Sequence, residues 1–367
     1  LFIVPGYILW GFTVAVFALI SRNNVAALMG LTTEAAIVAA TVSVVILMDC
    51  VMTFMGSMSN DAAFNSWVTD VTVPENRGTA EGILSVMPIL STLIVTVGFG
   101  AGVSAFGYPA CFLALGLLVS LCGVLGFFSI KESRSGVRTQ SNYVKDLFYG
   151  FRPRVIKTHG RLYLALAAVC IFSTAVQIFL PYIFIYLQHF LGFDLTNLNI
   201  TPAGAVIGGL VLLGVIAGAV GLGIMVDRLG KARFMFPSIA LFCAGLFAAA
   251  LTQNLRVFAV LALFILAGYG LLMIILGATV RDFTPEDNVG LFQGIRMIFF
   301  VLIPMVLGPY IGNRVIELFA ARHAAGTFIN DFQEVVLVPV PVIFAAAAMV
   351  GLGIVLPVVF IRKRLKR

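Results

Sequence analysis

Asp49, Thr53, Gly56, Asn60 and Trp67 follow one another at intervals of four, three, four and seven residues. At 100° per residue, that spacing sets all five on one helix face. The surrounding stretch is apolar, so a carboxylate, a hydroxyl, an amide and an indole would sit together where polar groups are costly. Such a face could line a central cavity. An ion or proton would neutralise the acid, and Trp67 would offer an aromatic face for stacking. Asp61 lies roughly 120° around the helix, nearer its end. The plainer alternatives are a hydrogen-bonded packing acid at Asp49 and an interfacial anchor at Trp67.

Further along, Gln177, Pro181, Tyr182, Tyr186 and Gln188 make an apolar stretch unusually polar. Gln177 and Pro181 are one turn apart, and the proline frees a carbonyl nearby. Gln177 and Tyr182 are therefore expected to line a cavity. Tyr269, between Gly268 and Gly270, lines the same cavity or packs in the core. Gln293 and Arg296 open another apolar stretch and suit a gate better than a solute site. His159, His189 and His323 lie in or beside loops without a Cys or acid at metal-ligand spacing. Phosphate-binding loops, nucleophile elbows and dinucleotide fingerprints are absent, so the sequence reads as neither an enzyme nor a primary pump. No cofactor is expected beyond a coupling Na+ or H+.

The elements that must hold these residues are set by the composition. The chain is 61% hydrophobic and 11% charged, with mean hydropathy +1.08. A soluble domain carries about a quarter charged residues, so lipid must be the solvent for most of this surface. Ten apolar stretches are long enough to cross a bilayer. They run over about 1–21, 36–68, 81–104, 108–130, 162–187, 203–226, 234–252, 256–280, 289–313 and 335–361. Barrel strands would alternate apolar with polar residues, and Leu113 to Phe128 does not. The fold class is all-α and polytopic. All five cysteines fall inside the stretches without metal spacing and read as buried free thiols.

Alternating the ten segments places nineteen of the 23 lysines and arginines on one side. This positive-inside asymmetry makes that side cytoplasmic, with both ends of the chain there, in the plasma or inner membrane. The net charge of +7 is thus a matter of topology and anionic lipid, and no nucleic acid is expected. The polar stretch 131–161 divides a four-helix bundle (1–130) from a six-helix bundle (162–367), and its 146–156 part could lie along the membrane surface as a short amphipathic helix.

An internal repeat supports the division. Asp70-Val-Thr-Val-Pro74-Glu75-Asn76-Arg77-Gly78-Thr-Ala-Glu81-Gly82 resembles Asp282-Phe-Thr-Pro285-Glu286-Asp287-Asn288-Val-Gly290-Leu-Phe-Gln293-Gly294, about 211 residues on. Pro-Glu, Gly and Glu/Gln-Gly coincide, which pairs Glu81 with Gln293. Equivalent halves would need six helices each, so two are expected to be missing before Leu1, which begins in mid-helix.

Gly223-Ile-Met-Val-Asp227-Arg228-Leu-Gly230-Lys231-Ala-Arg233 resembles the cytoplasmic signature of the major facilitator superfamily, Gly-x-x-x-Asp-Arg-x-Gly-Arg/Lys-x-Arg/Lys. With two helices absent this is the copy between helices eight and nine. Glycines would allow a tight turn, Asp227 would cap a helix start, and Arg228, Lys231 and Arg233 would hold cytoplasmic contacts. Within the superfamily, Asn60-Asp61-Ala-Ala-Phe64-Asn65-Ser-Trp67 is similar to the fourth helix of the glycoside–pentoside–hexuronide cation symporters, the melibiose permease group. The resemblance implies that Asp61 contacts sugar. Ala63 departs from the family's proline, Asn65 replaces a usual aromatic, and no arginine follows early in the next helix.

The expected function is cation-coupled symport of a sugar, glycoside or similar small polar solute by alternating access. The partners are the solute, the coupling cation and the bilayer, and the chain is a monomer. The rivals are a lipid or drug transporter on the same fold and a non-transporting receptor or scaffold.

Overall fold

The computed structural model describes residues 3–93, 95, 99–130, 149–193, 202–285, 289–320, 322, 326–329 and 335–365. Leu1, Lys131 to Lys145 of the linker, Glu286–Asn288 of the repeat, His323 and the last two basic residues lie outside them.

The described backbone is almost wholly helical, as it must be where lipid offers no hydrogen-bond partner. Helix α1 (Ile3–Val16) runs into a 3₁₀ turn at Phe17–Leu19. Ser21 Oγ then accepts from the Asn24 amide at 3.2 Å and starts α2 (Arg22–Met29), bent by 87°. Helix α3 (Glu34–Gly56) passes without a break into a π-helical stretch, Ser57–Phe64, and then α4 (Asn65–Val71). Helix α5 (Arg77–Leu93) follows a short turn, and α6 (Gly100–Ser129) is kinked at Gly107, where φ is +79°.

Of the expected surface helix 146–156, the described part begins with a 3₁₀ turn, Tyr149–Phe151, and continues as α7 (Pro153–Thr158). Next comes α8 (Gly160–Phe179), extended by a 3₁₀ turn at Leu180–Tyr182, a short turn and a π-helical end, Tyr186–Phe190. The remaining helices are α9 (Pro202–Leu229), α10 (Lys231–Leu251), α11 (Leu255–Phe283), α12 (Val289–Met297), α13 (Ile303–Phe319), α14 (Val342–Leu352) and α15 (Val355–Leu365).

Contacts divide the chain into two units that do not follow the sequence in one piece. The first holds Leu1–Val71, Met87–Ser141 and Glu286–Gly294; the second holds Thr72–Val86, Asn142–Pro285 and Ile295–Arg367. In the first, α1 packs on α6 with backbones nearly touching: a Cβ on Gly116 would lie 2.5 Å from the Gly11 carbonyl. Small residues at such crossings allow close van der Waals packing, which holds helices together in lipid. In the second, α8 packs against α11, α13, α14 and α15. Phe172 meets Phe242 at 5.5 Å and Tyr269 at 5.6 Å, while Phe344 meets Phe179, Tyr186 and Phe258 at 5.6, 5.1 and 5.4 Å.

Among the described residues, seven helices are long and apolar enough to cross a membrane, or eight if α1 and α2 count as one bent span. This is fewer than the ten read from hydropathy. Segment 81–104 runs partly through positions outside the description, α5 covers only 17 residues, and the side chains of 202–213 in segment 203–226 also lie outside it. The tenth segment also starts later than expected. Val335–Leu337 is a strand, paired antiparallel with Thr327–Ile329 in a hairpin, and the span itself is Val342–Ile361. A run of β-branched residues looks the same to hydropathy in either state. The described cysteines are all free thiols, but only Cys243 is buried as expected, and Cys50 and Cys122 are exposed on their helices.

Candidate functional site

Helix α5 begins with backbone N–H groups that have no partner within the helix. Asp227, near the end of α9, supplies one from another element. Its Oδ1 accepts from the Gly78 amide at 2.8 Å, and its Oδ2 accepts from the Thr79 amide and hydroxyl, each at 2.7 Å. A carboxylate at a helix start also meets the positive end of the helix dipole.

The bond depends on glycine. A Cβ on Gly223 would lie 2.6 Å from the Gly78 carbonyl, and one on Gly82 would lie 2.7 Å from the Ala219 carbonyl. Gly223 therefore sits inside α9 and lets two backbones meet, whereas a turn was expected of it. The turn of the signature is made by Gly230, with φ +90°.

Charged side chains surround this contact. Asp282 pairs with Arg77 at 3.1 Å and with Lys231 at 2.6 Å, and Lys231 also donates to the Pro74 carbonyl at 3.2 Å. Arg281, only 1% exposed, donates through Nε to Glu81, itself 8% exposed. The Glu81 carboxylate lies over Gly277, where a Cβ would come within 2.8 Å of it. Asp227, Lys231, Asp282, Thr279, Pro74 and Glu75 are among the residues lining a cavity of about 370 Å³. Arg228 and Arg233 are exposed beside it.

The structure thus brings Glu81, Gly223, Asp227, Gly230 and Lys231 into one place and adds Arg77, Gly78, Thr79, Arg281 and Asp282, which sequence reasoning missed. The repeated Asp–Pro-Glu–Gly loop was the available signal, because it contains Arg77, Gly78, Thr79 and Asp282. Gln293 is buried, and Arg296 lies over the Phe300 ring at 4.8 Å.

The polar face proposed around Asp49 is not continuous. Asp49 and Thr53 are exposed on α3, whereas Gly56 is buried under Trp10, whose ring would lie 2.9 Å from a Cβ there. Beyond Gly56 the chain winds as a π-helix, with more residues per turn than the 3.6 of an α-helix. Asn60 and Trp67 consequently fall out of line with Asp49.

Asn60 belongs instead to a set of its own. Its Oδ1 accepts from the Tyr7 hydroxyl at 2.8 Å, and its Nδ2 donates to Asp61 Oδ1 at 3.1 Å. Asn65 Nδ2 donates to the Asn60 carbonyl at 3.3 Å, and Trp67 packs on Phe64 at 5.7 Å.

In the second unit, Gln177 is wedged against Gly308, where a Cβ would lie 2.8 Å from the Gln177 carbonyl carbon. The Tyr182 hydroxyl donates to the Pro309 carbonyl at 3.0 Å. Tyr269 joins the aromatic core through Phe172. Gln177 and Tyr182 thus serve the α8–α13 contact.

Many apolar helices long enough to span make this a multi-pass membrane protein. The sequence profile of the Major Facilitator Superfamily matches residues 1–221 and again 196–366. The chain belongs to that superfamily, whose members are in general secondary transporters. No curated protein is significantly similar to it in sequence.

Proposed function

We propose that the protein is a cation-coupled symporter of a sugar, glycoside or comparable small polar solute, working by alternating access. The observation that carries this reading is Asp61, an acid within the long apolar helix Glu34–Val71, with its carboxylate bonded by Asn60. Acids at membrane depth are costly and tend to be kept for ion or solute traffic. The resemblance of Asn60–Trp67 to the melibiose permease group supports a sugar. Na+ or H+ is the coupling ion, and the Asp227 junction closes the cytoplasmic side. The chain acts as a monomer in the cell membrane, with both ends in the cytoplasm.

The test is uptake into proteoliposomes of labelled monosaccharides and disaccharides, with an inward Na+ gradient, an inward H+ gradient, or neither. Accumulation of at least one sugar under one of the gradients is expected. Export of lipophilic cations with no sugar uptake would overturn the reading in favour of a drug transporter.

A further inference from the structure

Tyr7 has no place in the reading above, yet it is bonded to the residue that holds Asp61. Tyr7 sits on α1 where α1 and the π-helix approach most closely. A Cβ on Gly6 would lie 2.7 Å from Ser59 Cβ, and Trp10 covers Gly56 one turn away. The Tyr7 and Trp10 rings meet edge to face at 5.6 Å. Two close backbone contacts therefore fix the height at which the Tyr7 hydroxyl reaches the π-helix.

The direction of the bonds is informative. Tyr7 donates to Asn60 Oδ1, which leaves Asn60 only its N–H groups to offer Asp61. Reversing the amide would turn its N–H toward the tyrosine oxygen and its oxygen toward a carboxylate. The carboxylate, which only accepts, thus sets which way Asn60 faces; the Tyr7 hydroxyl donates to the oxygen left over and ties Asn60 to α1, and Asn60 fixes one carboxylate oxygen of Asp61. The other oxygen, Oδ2, has no bonded partner among the described residues. The π-helix contributes as well: π turns are rare and recur at functional sites. This one carries Asn60 and Asp61 as neighbours, with Asn60 turned to α1.

We infer that Tyr7 and Asn60 are positioning residues, a two-bond relay that anchors Asp61 Oδ1 and presents Oδ2 to a hydroxyl of the transported solute. The inference rests on the sugar-symport reading and adds to it the device that aims the acid. Tyr7 acts only through Asn60, and Asn60 only through Asp61, so their losses should not add.

The chain has two tryptophans, Trp10 and Trp67, and they flank the relay through Tyr7 and Phe64, so intrinsic fluorescence reports on it directly. The experiment titrates the purified protein in nanodiscs with maltose and measures maltose uptake in proteoliposomes. The variants are Tyr7→Phe, Asn60→Leu, the two together, and Asp61→Asn. Tyr7→Phe is expected to weaken maltose binding about tenfold, equivalent to about 1.4 kcal/mol, raising KM while Vmax and the melting temperature hold. Asn60→Leu should cost at least as much, the pair no more than Asn60→Leu alone, and Asp61→Asn should abolish binding. If Asp61→Asn abolishes binding and Tyr7→Phe leaves it unchanged, the relay falls and the sugar reading stands. Additive losses, a lowered Vmax with unchanged KM, or a Tyr7→Phe protein that fails to fold would make Tyr7 structural and overturn the inference. If the unaltered protein binds no maltose, the relay's assigned ligand is wrong, and the uptake panel then tells whether the sugar reading fails with it.

Discussion

Replacing Asp227 by asparagine removes a charge and one acceptor from a site that needs both. Three donors converge on the carboxylate: the Gly78 amide, the Thr79 amide and the Thr79 hydroxyl, at 2.8, 2.7 and 2.7 Å. An asparagine oxygen can serve one backbone amide, but its NH₂ then faces the other, donor against donor. At least one charge-assisted bond is lost, worth roughly 1.5–3 kcal/mol. The lost interaction with the helix start adds about 0.3–1 kcal/mol. Asp227 and Thr79 are half-buried, so water recovers part of this, and the lower end, about 2 kcal/mol, is the expectation. At 1.4 kcal/mol per tenfold, the Gly78 and Thr79 amides should exchange with deuterium roughly 30-fold faster. Exchange followed by mass spectrometry on a peptide spanning 73–86 measures this, with a peptide from α10 as the internal standard. Exchange within twofold of the unaltered protein would refute the capping argument. Equal acceleration in both peptides would mean general loosening and would refute it too.

Glu81→Gln should lower stability by about 3–5 kcal/mol because it removes the carboxylate charge that faces the buried Arg281 guanidinium. The pair Glu81→Leu with Arg281→Met should recover most of that loss, and thermal unfolding in detergent compares them. Gly223→Ala should cost about 1–3 kcal/mol by driving a methyl against the Gly78 carbonyl, whereas Gly221→Ala, with nothing within 4 Å, should melt like the unaltered protein. Tyr182→Phe should cost about 1 kcal/mol of stability by releasing the Pro309 carbonyl, with sugar uptake kinetics unchanged. A raised KM at unchanged stability would instead give Tyr182 a part in the solute site.

The helices were legible because lipid leaves so few choices: apolar runs of spanning length must wind up on themselves. Asp227 was legible as a cap because an acid sits two residues ahead of the last residue of α9, in a turn built on Gly230. Its partners were not, since Gly78 and Thr79 lie 149 and 148 residues away in sequence and no local pattern links them. Arg281 was read as topology, the usual meaning of a basic residue at the end of a span, and Asp282 as part of the repeat; only packing turns them into partners of Glu81, Arg77 and Lys231. The Asp49 face failed for a different reason. Hydrophobic periodicity assumes 3.6 residues per turn throughout, and nothing in Ser57–Phe64 announces wider winding. Gly223 failed as a turn because glycine serves equally for positive φ and for close approach, and the sequence does not say which.

The π-helix also acts as a phase setting for everything beyond it. Eight residues, Ser57–Phe64, fix the angle at which Asn65, Trp67 and the rest of α4 emerge. Removing one residue from this stretch, such as Ala62 or Ala63, would let the backbone relax toward ordinary α-helix and move Asn60 and Asp61 around the helix axis relative to α1 and α4. A conservative substitution at the same position would turn nothing. The segment should therefore tolerate changes of identity far better than changes of length, and its length is as much a part of the site as any side chain it carries.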